Sequence, residues 1–196
     1  AGERRRLMLS MLTEDPDAYL AQLQAAKLND DVEVAHYAAT AVAQISKESD
    51  LKLQQLERAF KADPSEQNLD EYCDYLGDYL ASGLAEGRVE QIQRQQYARL
   101  LALRCEREDG PALRIRYATA LADAGKLDEA EAVTTQLTAD APDEQEAWML
   151  CLRLAVTRRD GEAVQQVIDA IDKQHVYLSA ANREKLAFWR DGEEAR

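Results

Sequence analysis

Apolar positions recur along this chain with the spacing of helices. Leu7, Met8, Met11 and Leu12 fall on one face of a first helix, which Asp15-Pro16 ends. Asp15 is placed to cap the next helix, with Pro16 at its first position and Tyr19, Leu20, Leu23 and Ala26 on its buried face. Asn29-Asp30-Asp31 reads as a turn. A long helical pattern follows over 31–62, and the polar run Ser46-Lys47-Glu48-Ser49 is where a boundary or kink is expected. Pro64 closes that stretch. The pattern over 66–82 carries Leu69, Tyr72, Cys73, Leu76 and Leu80 inward, and Gly83 and Gly87 mark the next turn. A helix over 88–107 has Ile92, Tyr97, Leu100, Leu101 and Leu103 among its apolar residues. Asp109-Gly110-Pro111 then stops one helix and starts another.

Beyond residue 110 the pattern repeats itself. Shifted by 34 positions, Ile115 meets Met149, Tyr117 meets Cys151 and Leu121 meets Ala155. Ala130 meets Val164, Val133 meets Val167 and Leu137 meets Ile171. Two amphipathic helices recurring at 34 residues are the signature of the tetratricopeptide (TPR) repeat. Tyr117-Ala118 supplies the large–small pair of its first helix, Gly125 ends that helix, Ala130 is the small crossing residue, and Pro142 closes the unit. The following repeat has Trp148 in the tryptophan slot but Leu152 where a small residue is usual, which predicts a splayed hairpin. Upstream the pattern degrades. Ala59, Phe60 and Pro64 fit the end of a repeat, yet Lys52 stands where a small residue belongs. The unit from Gln67 to Gly110 is about ten residues too long for the period, the excess keeping a helical pattern. Ser179 opens a capped helix with Leu186, Phe188 and Trp189 that closes the array.

The expected fold is therefore all-α, a right-handed superhelix of TPR-like hairpins with a C-terminal capping helix. Its parts are N-terminal helices over 1–30, repeats over about 31–66, 67–110, 111–144 and 145–177, and a cap and tail over 178–196. Composition agrees: 46% of the 196 residues are apolar, with only eight Gly and four Pro. The net charge of −13 disfavours nucleic acid and anionic lipid as partners. Cys73, Cys105 and Cys151 are odd in number and widely spaced, which suits packing thiols in a reducing compartment. No apolar run approaches the roughly 18 residues of a membrane span, and there is no signal-peptide pattern. The chain opens on Ala1-Gly2-Glu3, so a piece of a longer protein is expected, with an anchor in the remainder.

Chemistry is sparse. His36 and His175 each stand alone, His36 expected to pack within its hairpin. No phosphate loop, nucleophile elbow, H-E-x-x-H or C-x-x-C occurs. Neither an enzyme, a cofactor nor a metal is expected. Asp70, Asp74 and Asp78, with Glu71 beside them, read either as an acidic docking stripe or cation site or, more simply, as a solvated helix face. The expected binding surface is the concave face formed by the first helices of the hairpins. Tyr37, Tyr75, Asp78 and Tyr79 are its candidates upstream, and Ile115, Thr119, Met149 and Arg153 downstream; amphipathic aromatics make good interface anchors. For the tyrosines, plain packing is the competing reading. Arg4-Arg5-Arg6 is either a juxtamembrane basic run or a solvated helix start.

The stretch DDVEVAHYAATAVAQISKESDLKLQQLERAFKADP, followed by LGDYLASGL and RVEQIQRQQYARLL, resembles the PelE family of bacteria that make the Pel exopolysaccharide. The resemblance covers roughly residues 14–160 and is most specific in HYAAT and LGDYLASGL. It implies the cytosolic TPR domain of an inner-membrane subunit, whose two transmembrane helices precede it. It also implies docking of PelD, the cyclic-di-GMP receptor of the synthase complex, at the cytoplasmic face of the membrane. Under that resemblance Arg4-Arg5-Arg6 becomes the juxtamembrane segment. A TPR adaptor for a different bacterial assembly, a chaperone or secretion scaffold, is the alternative.

Overall fold

The computed structural model describes residues 16–194, and every regular element among them is an α-helix. They are α1 (Pro16–Ala26), α2 (Val32–Ala62), α3 (Glu66–Ala81), α4 (Gly87–Cys105), α5 (Pro111–Asp123), α6 (Leu127–Asp140), α7 (Gln145–Arg158), α8 (Gly161–Lys173) and α9 (Ala180–Glu194). The expected first helix, the Asp15 cap and the Arg4-Arg5-Arg6 run lie outside the described residues. The chain divides after Gln93 into two compact units.

In the first unit one long helix serves two partners. Asp31 starts α2 by accepting the amide N–H groups of Glu33 (2.9 Å) and Val34 (3.4 Å), which would otherwise lack acceptors. The N-terminal half of α2 buries Ala38 against Tyr19 and Leu23 of α1, with Ala41, Val42 and Ile45 beside them. The C-terminal half packs on α3, where the Phe60 and Tyr72 rings lie 6.4 Å apart. The break expected at Ser46–Ser49 is absent, and α2 runs unbroken for 31 residues, about 46 Å at the helical rise. Residues 31–66 are thus not a helix–turn–helix unit. Polarity does not end a helix; a left-handed residue or a proline does. Here Gln44 Nε2 instead donates to Glu48 Oε1 at 2.6 Å across one helical turn, inside the polar run.

Helix α3 starts on Ser65, whose hydroxyl accepts the Asn68 N–H at 3.4 Å. It buries Leu69, Tyr72, Cys73, Leu76 and Tyr79. Leu80, expected inward, is only half-buried, and Tyr79 holds the buried position in its place. The surplus length upstream of residue 110 lies in helices, as its pattern predicted: α3 has 16 residues and α4 has 19, against 13 for α5. His36, expected to pack, is exposed beside Tyr37, with ring centroids 6.3 Å apart.

The second unit keeps the 34-residue register in three dimensions. Its second hairpin starts each helix 34 residues after the first, 111 to 145 and 127 to 161. The left-handed residues that end α5 and α7, Gly125 (φ 79°) and Arg159 (φ 58°), are likewise 34 apart. Each is followed by the same reverse bond, Lys126 N–H to Leu121 C=O (2.9 Å) and Asp160 N–H to Ala155 C=O (3.0 Å). Ala118, Leu121, Ala130 and Leu137 are buried in the first hairpin. Leu152, expected to splay the second, is instead buried in a cluster with Trp148, Ile168, Ile171, Leu178 and Leu186. Trp148 also donates its indole N–H to the Pro142 carbonyl at 2.8 Å, fixing the turn between hairpins.

Helix α9 caps the unit. The Ser179 hydroxyl accepts the Asn182 N–H at 3.3 Å. Buried Asn182 donates to Gln145 (3.1 Å) and Glu146 (2.8 Å) at the start of α7. No helix among the described residues is long and apolar enough to cross a membrane.

Candidate protein-binding face

Side chains four apart on a helix share one face. On α5 that places Ile115 beside Thr119, and on α7 Met149 beside Arg153. The 34-residue register then sets the two pairs side by side. The structure brings all four together in one concavity of about 410 Å³, with Val156 and the Trp189 ring of α9. The lining comes from α5, α7 and α9, the first helices of the two hairpins and the cap; α6 and α8 contribute nothing to it.

The charges around this face are largely matched from within. The Arg153 guanidinium bonds the Asp123 carboxylate, which also takes Arg94 at 3.4 Å. Glu146 accepts from Asn182. Lys185 is the remaining charged lining residue. What is left for a partner is an apolar strip, Ile115, Met149, Val156 and Trp189, between held charges. Such a surface grips by contact and by displacing water.

Nothing here is poised for bond chemistry. Burial pushes the thiols of Cys105 and Cys151 up, away from the reactive thiolate. No group of three or more His, Cys, Asp or Glu among the described residues is placed to hold a metal ion.

The upstream candidates do not assemble into one surface. Tyr37 lies near the start of α2 and is 47% exposed. Tyr79 meets α2 at Asp50, 13 residues further on and so about 20 Å along the axis. Asp78 is exposed and Tyr75 half-buried on α3. Tyr79 is a correction. It is buried, its hydroxyl donates to Asp50 at 2.9 Å, and it offers no open face. Burial, then the Asp50 hydrogen bond and charge, push its pKa up to about 12.

Sequence reasoning missed Lys185 and Trp189. Carrying the register one repeat further points to Arg183 and Ala187 instead. Those two line the opposite side of α9, because its start is fixed by Asn182 on α7 rather than by a repeat turn.

A family model for the tetratricopeptide repeat matches residues 84–154, which contain α5, α6 and most of α7. Searches of curated proteins and of solved structures find no match. Over 84–154 the chain is similar to the tetratricopeptide repeat, a protein–protein interaction scaffold that is typically non-catalytic, and its all-α architecture is that of a TPR-like helical repeat.

Proposed function

We propose that this chain is a protein-binding scaffold whose partner seats on the concave face of α5, α7 and α9. One observation carries the reading: Ile115, Thr119, Met149 and Arg153 line a single apolar concavity with Trp189. It forms within and beside the segment that matches the tetratricopeptide repeat. The mechanism is display. Short helices locked by reverse turns and inter-helix ion pairs hold the strip in a fixed shape, so a partner does not pay for ordering it.

The finer part of the proposal rests on the likeness of HYAAT and LGDYLASGL to the PelE family. On that reading this is the cytosolic domain of a Pel polysaccharide synthase subunit, and it holds PelD, the cyclic-di-GMP receptor, at the inner membrane. A TPR adaptor for another assembly shares the fold and differs in partner, and gene neighbourhood separates the two.

The test is retention of purified PelD cytosolic domain by the immobilised chain. Retention is expected. Met149→Glu is expected to weaken it by about tenfold or more by putting a charge in the apolar strip, with helicity unchanged by circular dichroism. The exposed Arg153→Glu change provides a second probe of the same face. No retention by the folded chain removes PelD as partner. Retention indifferent to both substitutions moves the site off this face.

A further inference from the structure

On the far side of α9, a second crevice opens between that helix, the end of α8 and the connection between them. It encloses about 590 Å³. Its floor is apolar, made by Ile171, Val176, Leu178 and Leu186. Its rim is not. Arg183 and Arg190, two helical turns apart, stand on one side, and His175 and a largely exposed Tyr177 (79%) on the other. This is not the concave face turned over. At about 100° per residue, Lys185 and Trp189 point into the concavity while Arg183, Ala187 and Arg190 point into the crevice.

The charge here runs against that of the molecule. The chain carries −13 overall, yet the crevice holds two guanidinium groups and one carboxylate, Asp172. Arg190 is bound to Asp172. Arg183 gives one hydrogen bond to the Leu178 carbonyl at 2.8 Å and has no other partner among the described residues. A guanidinium has five N–H donors and favours the forked geometry of a carboxylate. The crevice therefore presents unspent donors of one sign beside an apolar floor.

We infer that the crevice between α8 and α9 is a second docking site, for an acidic segment of a partner protein. A carboxylate of that segment lies on Arg183 and Arg190, and an apolar side chain next to it seats on the Ile171–Leu186 floor. A nucleic acid is a poor occupant, because its phosphates would face the other acidic surfaces of the chain. The site does not depend on the concave face or on its partner. With both occupied, α9 would be held from two sides.

The test uses the full 196-residue chain and a fluorescein-labelled peptide, Asp-Glu-Leu-Asp-Glu-Phe, followed by fluorescence anisotropy. A control peptide carries Lys in place of each acid. Saturable binding of the acidic peptide alone is expected, weakening as salt is raised. Arg183→Glu is expected to weaken it about tenfold. Because Arg183 also anchors the Leu178 carbonyl, Ala187→Glu provides a second variant. It places a carboxylate at an exposed crevice position on a good helix former and is expected to act in the same direction. Met149→Glu, on the other face, is expected to leave binding unchanged.

Absence of saturation, equal binding of the basic control, or indifference to both crevice variants would overturn the assignment. So would loss of binding on Met149→Glu, which would put the peptide in the concavity. Self-association of the unliganded chain that Ala187→Glu abolishes would give the crevice to a second copy, and also overturns it.

Discussion

The two units bury similar side chains but organise them differently. In the first, a 31-residue helix carries α1 on one half and α3 on the other, and its polar middle runs straight through. In the second, four helices of 13 or 14 residues each are separated by turns at fixed intervals. Composition does not make this difference, since Ser46-Lys47-Glu48-Ser49 is as polar as the turn sequences. The turns themselves make it. Gly125, Arg159 and His175 adopt positive φ and let the chain reverse, while nothing within α2 does so. A repeat register depends on such reversals, so the concavity built on that register is found where they recur.

The largest effect expected concerns the repeat core. Leu137 is fully buried in α6 and is the 34-residue counterpart of Ile171. Leu137→Ala should cost about 4 kcal/mol, lost transfer energy plus a cavity. Both tryptophans, Trp148 and Trp189, lie in this unit, so the loss can be read from fluorescence in a urea titration. A cost below about 1 kcal/mol would mean that the register does not carry the packing.

The first unit is tested by breaking its helix. Lys47→Pro, at an exposed position in the polar run, should cost about 3 kcal/mol by removing a backbone hydrogen bond and crowding the previous turn. It should also lower the helical signal. If the change is tolerated, α2 has a joint at Ser46–Ser49 and the units are alike after all.

Much of this was legible in the residues themselves. Helical periodicity, Ser65, Ser179, Gly125 and Pro111 place most helix ends, because caps, prolines and left-handed glycines act locally. The groove residues of α5 and α7 were legible because a 34-residue repeat turns one helix face into the next. Three kinds of feature were not. The continuity of α2 depends on α1 and α3 sharing its length, a tertiary fact. The burial of Tyr79 depends on Asp50, 29 residues away. The rotation of α9 depends on Asn182 finding Gln145 and Glu146, which no repeat position specifies.

Tyr79 ties α3 to α2 by a contact with no counterpart in the repeat register. Tyr79→Phe should cost about 1 kcal/mol for the lost hydrogen bond to Asp50. It also has a pH signature. The phenol pKa is raised from 10.0 to about 12 in the fold, so the folded state holds the proton more tightly than the unfolded chain. Its contribution is full below pH 10 and is lost as pH rises towards 12. The chain should therefore lose stability across that window, and the Phe variant should lose less. Parallel alkaline profiles for the two proteins would show that Asp50 does not hold the phenol.

The smallest effect expected runs in the stabilising direction and tests the register itself. Position 159 repeats position 125, and both adopt positive φ, but one is Gly and the other Arg. A side chain in the left-handed region costs roughly 1 kcal/mol, and Arg159 is exposed with no ion pair among the described residues. Arg159→Gly should thus raise stability by about 0.5 kcal/mol, the strain relieved less the entropy glycine adds to the unfolded chain. Gly125→Ala should lower it by about 1 kcal/mol at a turn where the new Cβ meets no atom within 4 Å. Opposite signs at two sites 34 residues apart would show that the same backbone reversal is used twice. Equal signs would mean that one of the two turns relaxes, and with it the alignment that sets Met149 and Arg153 beside Ile115 and Thr119.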